Sequence, residues 1–307
     1  MFSDYQHTIQ SELKFNGIGL HTGNRVNVRL IPAAPNSGII FKRTDLKINN
    51  KIEANYKNVI STELCTKIEN KFGVSVSTIE HLMGSFCGEG VDNIIVEVDS
   101  SEVPIMDGSA KEFVEAIRSV GTKKQNFFRK FIKINQKVEI KEGSKHILIE
   151  PSNKKLEIDF EIIYDNKFIN RQRKTIQVYS DDLKPIYDSR TFCLYEDIVK
   201  IQNMGLGKGG SLQNAVVVKE DKVLNEEGIR FKDEFVMHKI LDCMGDTMLA
   251  GYRIFGSITC SRGGHQLTNE LLRSLLSNSE NWQFITSEDK NLGYNENDYR
   301  KPIAVSA

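Results

Sequence analysis

Three histidines with acidic neighbours, drawn from distant segments, hold the densest concentration of acid, base and metal-ligand chemistry in this chain. Glu80-His81 lies in STIEHLMG, His238 and Asp242 in HKILDCMGD, and His265 in SRGGHQL. His238 and Asp242 are spaced i, i+4, which on a helix puts both side chains on one face, one turn apart. An imidazole nitrogen and a carboxylate oxygen so placed can share one Zn²⁺ at about 2.0–2.2 Å. Catalytic zinc takes three protein ligands and leaves a position for water, and His81 would complete a His, His, Asp set. The spacing alone fits a solvated helix face as well. Asp246, one further turn along, strengthens the metal reading. Two acids and a histidine on a face flanked by Ile240, Leu241, Met244 and Met248 need a metal, water or a hydrogen-bond partner.

Glu80 and His81 are neighbours, so on a helix they point about 100° apart. One can hold the metal while the other touches the water beside it, as a general base does. The alternative is a solvated acid at a helix start, where the helix dipole favours one. His265 follows Gly263-Gly264, and a tight turn there would present its ring into a cleft. A cationic histidine in that place could stabilise developing negative charge and protonate a leaving amine, with Asp246 as its orienter. A loop histidine in water is the plainer reading. Gly245 between the turns would let another backbone come close. GLGKGGS at 205–211 lacks the order of a phosphate-binding loop and reads as a structural turn.

The elements that must position these residues can be read from periodicity. Residues 1–42 read as strands, with Val26, Val28 and Leu30 alternating. Residues 43–74 are polar and irregular, a small insertion or strand-loop decoration. Thr78 to Cys87 reads as a helix with Ile79, Leu82, Met83 and Phe86 on one stripe, Ser77 or Thr78 as its N-cap and Gly88 with Gly90 as its stop. Residues 92–99 form a strand and Ser109 to Val120 a second helix. The polar, basic stretch 121–130 reads as a linker, giving a first domain of 1–125 and a second of 126–280. In the second, strands are expected at 131–141, 145–150, 156–164 and 174–179. Phe235 to Leu249 should be a helix, RIFGSITCSRGGH a strand and loop, and Asn269 to Leu276 a last helix. Residues 281–307 read as a peripheral tail. Both halves run strands, helix, strand, helix. The expected fold is therefore α+β, with two domains of similar topology, each a sheet layered with helices, and the site in the cleft between them.

Composition narrows the function. Lys+Arg and Asp+Glu are both 41, a balance that argues against nucleic acid as the partner. Cys65, Cys87, Cys193, Cys243 and Cys260 are odd in number and widely spaced, which suits a reducing cytosol rather than a disulfide framework. MFSDYQHTIQ has no basic region followed by an apolar one, so no signal peptide is read there. No run approaches the length of a membrane span, so stable membrane insertion is not expected.

The segments TIQSELKFNGIGLHTG, STIEHLMGSFCGEGVDNIIVEVDSSEVPIMDGSA, DSRTFCLYEDI, GLGKGGSLQNAVVV, DEFVMHKILDCMGD and GGHQLTNELL, in this order, resemble the UDP-3-O-acyl-N-acetylglucosamine deacetylase family of lipid A synthesis. The resemblance spans roughly residues 7–276. It implies Zn²⁺ on His81, His238 and Asp242, although the same ligands can accept Fe²⁺. It implies Glu80 as general base, Thr191 as a hydroxyl that helps hold the oxyanion, His265 as electrostatic stabiliser and general acid, and Asp246 as the residue that positions it. It implies a two-domain fold whose second domain carries a βαβ insert near 190–213, with Phe192, Ile198, Ile201, Met204 and Leu206 as candidates to line an acyl passage. Singly, each fits plain core equally well. Lys239 would bind substrate, or be a solvated helix lysine, and Asp159 and Phe160 match a region on the uridine side. The partner implied is a sugar nucleotide carrying a fatty acyl chain. The protein would act as a monomer in the bacterial cytoplasm, close to the inner membrane. Gln213, Thr247 and Cys193 depart from the family pattern without touching the metal or base positions. A zinc amidohydrolase acting on another acylated sugar, or a silent binding protein, are the competing readings.

Overall fold

The computed structural model describes residues 3–286. The first half supplies β1 (Tyr5–Ile9), β2 (Leu13–Ile18), β3 (Arg25–Pro32), β4 (Ile39–Arg43), β5 (Lys51–Glu53), β6 (Val59–Ser61), β7 (Lys67–Glu69) and β8 (Ser75–Val76). Then come α1 (Glu80–Glu89), β9 (Ile94–Val98), α2 (Lys111–Val120) and β10 (Thr122–Phe128). The second half supplies β11 (Lys130–Ile134), β12 (Val138–Glu142), β13 (Lys145–Glu150), β14 (Leu156–Ile163), β15 (Arg171–Gln177), α3 (Lys184–Tyr187), β16 (Phe192–Leu194) and α4 (Ile198–Asn203). It closes with β17 (Val216–Lys219), β18 (Lys222–Val223), α5 (Glu234–Thr247), β19 (Arg253–Ser261), α6 (His265–Ser277) and β20 (Trp282–Thr286).

The two halves repeat one topology. In the first sheet the order is β2-β3-β9-β4-β5, and β9 runs antiparallel to β3 and parallel to β4. In the second, β19 runs antiparallel to β13 and parallel to β14, with β12 and β15 paired outside them. The central strand in each case follows one helix and precedes another: α1-β9-α2 and α5-β19-α6. Alternation sets the faces. β14 buries Leu156, Ile158, Phe160 and Ile162 and turns Glu157, Asp159 and Glu161 outward, the period of a sheet with one covered face. The fold is α+β with two such domains, as the sequence led us to expect.

Several local expectations need correction. Residues 121–130 are not an open connector: Thr122–Phe128 form β10, which pairs antiparallel with β1. The strand expected over 131–141 is two strands, because the chain turns between Ile134 and Val138 to pair β12 with β13. The strand expected at 174–179 is β15, Arg171–Gln177. Residues 43–74, expected as a small insertion or strand-loop decoration, do hold short strands: β5, β6 and β7, the last two joining β8 in a separate three-stranded sheet. Helix α6 starts at His265 rather than Asn269. Residues 282–286 of the expected tail pair with β11 as an edge strand, since Ile285 has an apolar patch of Phe131 and Phe255 to cover. Residues 287–307 of that tail lie outside the described residues.

α1 also starts later than expected. Ser77 and Thr78 do not cap it: Thr78 sits at φ +57° and donates its hydroxyl to Glu102. Glu80 is thereby the first helical residue, its charge at the favourable end of the dipole. The helix is buried nearly all round, as befits an element clamped on several sides. Its far end is held by the other half of the molecule, for Arg253 of β19 donates to the carbonyls of Phe86 and Cys87 and to Asp92. Those donations satisfy terminal carbonyls that would otherwise be orphans.

Candidate metal centre

The site rests on the contact between α1 and α5. A Cβ on Gly245 would lie 2.0 Å from the carbonyl oxygen of Glu80, and one on Gly84 would lie 2.7 Å from Leu241 Cδ1. Each helix lacks a side chain where the other passes, so the backbones meet. That closeness puts the first turn of α1, with Glu80 and His81, against the middle turns of α5, with His238, Asp242 and Asp246.

His81, His238 and Asp242 each offer one donor atom to a common point, and these atoms all lie within 4.8 Å of one another. Nε2 of His81 and Nε2 of His238 are each 3.5 Å from Asp242 Oδ1. The imidazole rings meet edge to face with centroids 4.8 Å apart. All three residues are buried. Among the described residues Asp242 Oδ1 has no hydrogen-bond partner, an expensive state for a buried carboxylate oxygen unless a cation is there. His238 Nδ1 is 3.0 Å from the carbonyl oxygen of Ser189. Donating there, it leaves Nε2 as a lone pair facing Asp242, the tautomer a metal needs. Burial pushes the His238 pKa down to about 3, so the ring is neutral. The donor set, two imidazoles and a carboxylate, suits a catalytic Zn²⁺.

Lys239, expected as a substrate-binding residue or a solvated helix lysine, donates Nζ to Asp242 Oδ2 at 2.9 Å. Burial opposes the charge on each partner, but the attraction between them, together with that of neighbouring groups, outweighs it. Asp242 is held well below the usual carboxylate range and Lys239 above the usual lysine range. The two oxygens of Asp242 are thus divided, one to the lysine and one to the shared point.

A second group of residues flanks this one. Glu80 is buried, and burial raises its pKa although His265 and His81 pull it down. Its Oε2 accepts the backbone N–H of Thr66 at 3.1 Å. His265 Nδ1 is 2.7 Å from Asp246 Oδ2. Burial disfavours the imidazolium, yet the surrounding carboxylates, Asp246 first and then Asp242 and Glu80, together outweigh it and lift the His265 pKa to about 9. His265 opens α6, where the dipole also opposes a cation, so the carboxylates have both effects to overcome. The sequence offered no sign of Thr66. It lies in the stretch read as irregular decoration, yet its hydroxyl donates to Asp246 Oδ1 at 2.6 Å. A motif search keyed to histidines and acids passes over a threonine between strands.

The segment after Ser189 is fixed by a buried ion pair. Arg190 Nε donates to Glu234 Oε1 at 2.8 Å, and both side chains are almost wholly buried. This anchors Thr191, whose N–H donates to the Gly108 carbonyl. Phe192 follows in β16. Its ring lies edge-on to those of Phe235, Tyr164 and His238, with centroids 4.7, 5.6 and 6.4 Å away. Ile198 and Ile201 on α4 and Leu206 beyond it are half-buried, whereas Met204 is exposed. Asp159 and Phe160 have other company. Asp159 accepts from Arg173 and Thr175, and Phe160 sits in the core under β14.

Comparison with known proteins gives this arrangement a context. Residues 6–277 match the family described as UDP-3-O-acyl N-acetylglycosamine deacetylase. The chain belongs to that deacetylase family. A UDP-3-O-acyl-N-acetylglucosamine deacetylase of Haemophilus influenzae (strain 86-028NP) is 43% identical over 93% of this chain and 94% of its own length. Proteins of the same name from Pasteurella multocida (strain Pm70) and Mannheimia succiniciproducens are also 43% identical over the same shares. The deacetylase family match takes in every residue of the site and stops at Ser277, the last residue of α6. No helix among the described residues is long and apolar enough to cross a membrane.

Proposed function

We propose that this deacetylase hydrolyses the N-acetyl group of UDP-3-O-[(R)-3-hydroxyacyl]-N-acetylglucosamine. The products would be acetate and UDP-3-O-[(R)-3-hydroxyacyl]-glucosamine, in the committed step of lipid A synthesis. The observation that carries this reading is the gathering of the His81, His238 and Asp242 donor atoms within 4.8 Å of one another, beside Glu80 and the His265–Asp246 pair, which Thr66 links by hydrogen bonds. His81 Nε2, His238 Nε2 and Asp242 Oδ1 would hold Zn²⁺, or Fe²⁺, which the same donors accept. When bound, such an ion acidifies water and polarises an amide carbonyl.

Glu80, with a raised pKa, takes the proton from the attacking water. His265, kept charged by Asp246, gives a proton to the departing nitrogen. The Thr191 hydroxyl donates to the oxygen that becomes negative. Lys239, between Asp242 and the ring of Phe192, meets a substrate oxygen as a point charge. Phe192, Ile198, Ile201, Met204 and Leu206 in the insert near 190–213 form the apolar wall along which the acyl chain lies, and Asp159 marks the uridine side, with Phe160 packed in the core beneath it. Residues 1–125 and 126–280 are the two domains in this reading. The enzyme works as a monomer in the cytoplasm near the inner membrane.

The decisive experiment combines metal analysis with acetate release. The purified protein should carry about one Zn²⁺ or Fe²⁺ per chain and lose activity on chelation. Glu80→Gln should keep the metal and lose turnover by at least about 10²-fold. Acetate release little changed in Glu80→Gln, or activity indifferent to chelation, would contradict the assignment.

A further inference from the structure

Among the described residues, Thr66 hydrogen-bonds to both Glu80 and Asp246. Its backbone N–H donates to Glu80 Oε2 at 3.1 Å, and its hydroxyl donates to Asp246 Oδ1 at 2.6 Å. It is 1% exposed and lies between β6 and β7 of the first domain, while Asp246 and His265 belong to the second. We propose that Thr66 is a positioning residue of the reaction, its hydroxyl holding the Asp246 carboxylate in the plane that aims His265. The inference rests on the proposed role of His265 as proton donor.

An ionised carboxylate only accepts, so the Thr66 hydroxyl must be the donor. Asp246 then accepts from Thr66 on Oδ1 and from His265 on Oδ2. A terminal carboxylate torsion is broad and shallow, and one hydrogen bond leaves it free to swing. Two, on opposite oxygens, fix its plane and with it the tilt of the imidazole. Glu80 and Asp242 also bear on the His265 charge, but neither orients the ring. The backbone N–H to Glu80 cannot be removed by changing the side chain, so the two contacts of Thr66 can be tested apart.

Thr66→Val keeps the shape and the backbone donor and removes only the hydroxyl. It should lower kcat by about tenfold, the lower end of what loss of an outer hydrogen-bond partner costs, with KM within about twofold. The alkaline limb of the pH profile should move down as the imidazole loses its fixed partner. Thr66→Ser, which restores the hydroxyl, should recover most of kcat and return the limb. Thr66→Val added to Asp246→Asn should cost little beyond Asp246→Asn alone, because both act through one carboxylate. Unchanged kcat in Thr66→Val, or a Thr66→Ser variant as poor as Thr66→Val, would overturn the proposal in favour of plain packing. If Thr66→Val does not fold, Thr66→Ala must show the same loss of kcat and the same limb shift, or the proposal fails. Asp246→Asn separates the two levels. If it leaves kcat and the limb untouched, the acid role of His265 is wrong; if it abolishes both while Thr66→Val alters neither, only the role of Thr66 is wrong.

Discussion

Gly245 on α5 lies against the carbonyl of Glu80 on α1, so close that a single methyl group would fall 2.0 Å from the oxygen. The residue that opens the base's helix and the glycine between two acids of the other helix are therefore one contact. Gly245→Ala cannot be relieved by a flexible neighbour, because the obstacle is backbone. It should push α1 away from α5, at about 1–3 kcal/mol or more for overpacking of this kind. Thermal unfolding should show a lower midpoint, and isothermal titration with Zn²⁺ a weaker affinity, since His81 moves with Glu80. A variant as stable and as tight for metal as the parent would mean that the seam yields more easily than its geometry implies.

The His265–Asp246 pair predicts an alkaline limit to activity. His265 is raised to about 9 from an ordinary 6.5. As the proton donor it should be charged at neutral pH, and kcat/KM should fall as pH rises through about 9. Its pairing also adds stability that is fully present below about 6.5 and is lost as pH climbs through the folded value. His265→Ala should remove both the alkaline limb and this part of the pH dependence of unfolding. A limb that survives in His265→Ala belongs to another group.

The proposed acyl wall around α4 predicts a dependence on acyl length. Each methylene buried there contributes about 0.8 kcal/mol, or roughly fourfold in kcat/KM. A substrate shortened by two carbons should then lose about 10–20-fold. Ile201, whose Cγ2 would be only 3.0 Å from a Cβ on Gly207, is a sensitive point: Ile201→Asp should flatten the series. Equal kcat/KM for long-chain and short-chain substrates would place the acyl group elsewhere.

Much of this was open to reading from residue order. The i, i+4 pair His238 and Asp242, the neighbour Asp246 and the purpose of Gly245 are local facts of one helix, and helical spacing transmits them directly. The doubled strand-helix order was visible for the same reason. What stayed hidden depends on partners far along the chain. Nothing near Thr122–Phe128 says that Tyr5–Ile9 will lie beside it, so a strand looked like a connector. Thr78 seems a ready cap until Glu102 claims its hydroxyl. Thr66 has no neighbour in sequence that betrays Asp246, which follows it by 180 positions.

Because α1 and α5 hold matching places in two copies of one topology, neither half alone owns a working set of groups. Residues before 125 contribute one imidazole and one carboxylate; the remaining donors arrive only with the later half. A chain lacking the later half lacks His238 and Asp242, two of the three grouped donors. In the proposed reading the set is complete only once the halves dock, so affinity for the metal would gauge how completely the whole polypeptide has come together.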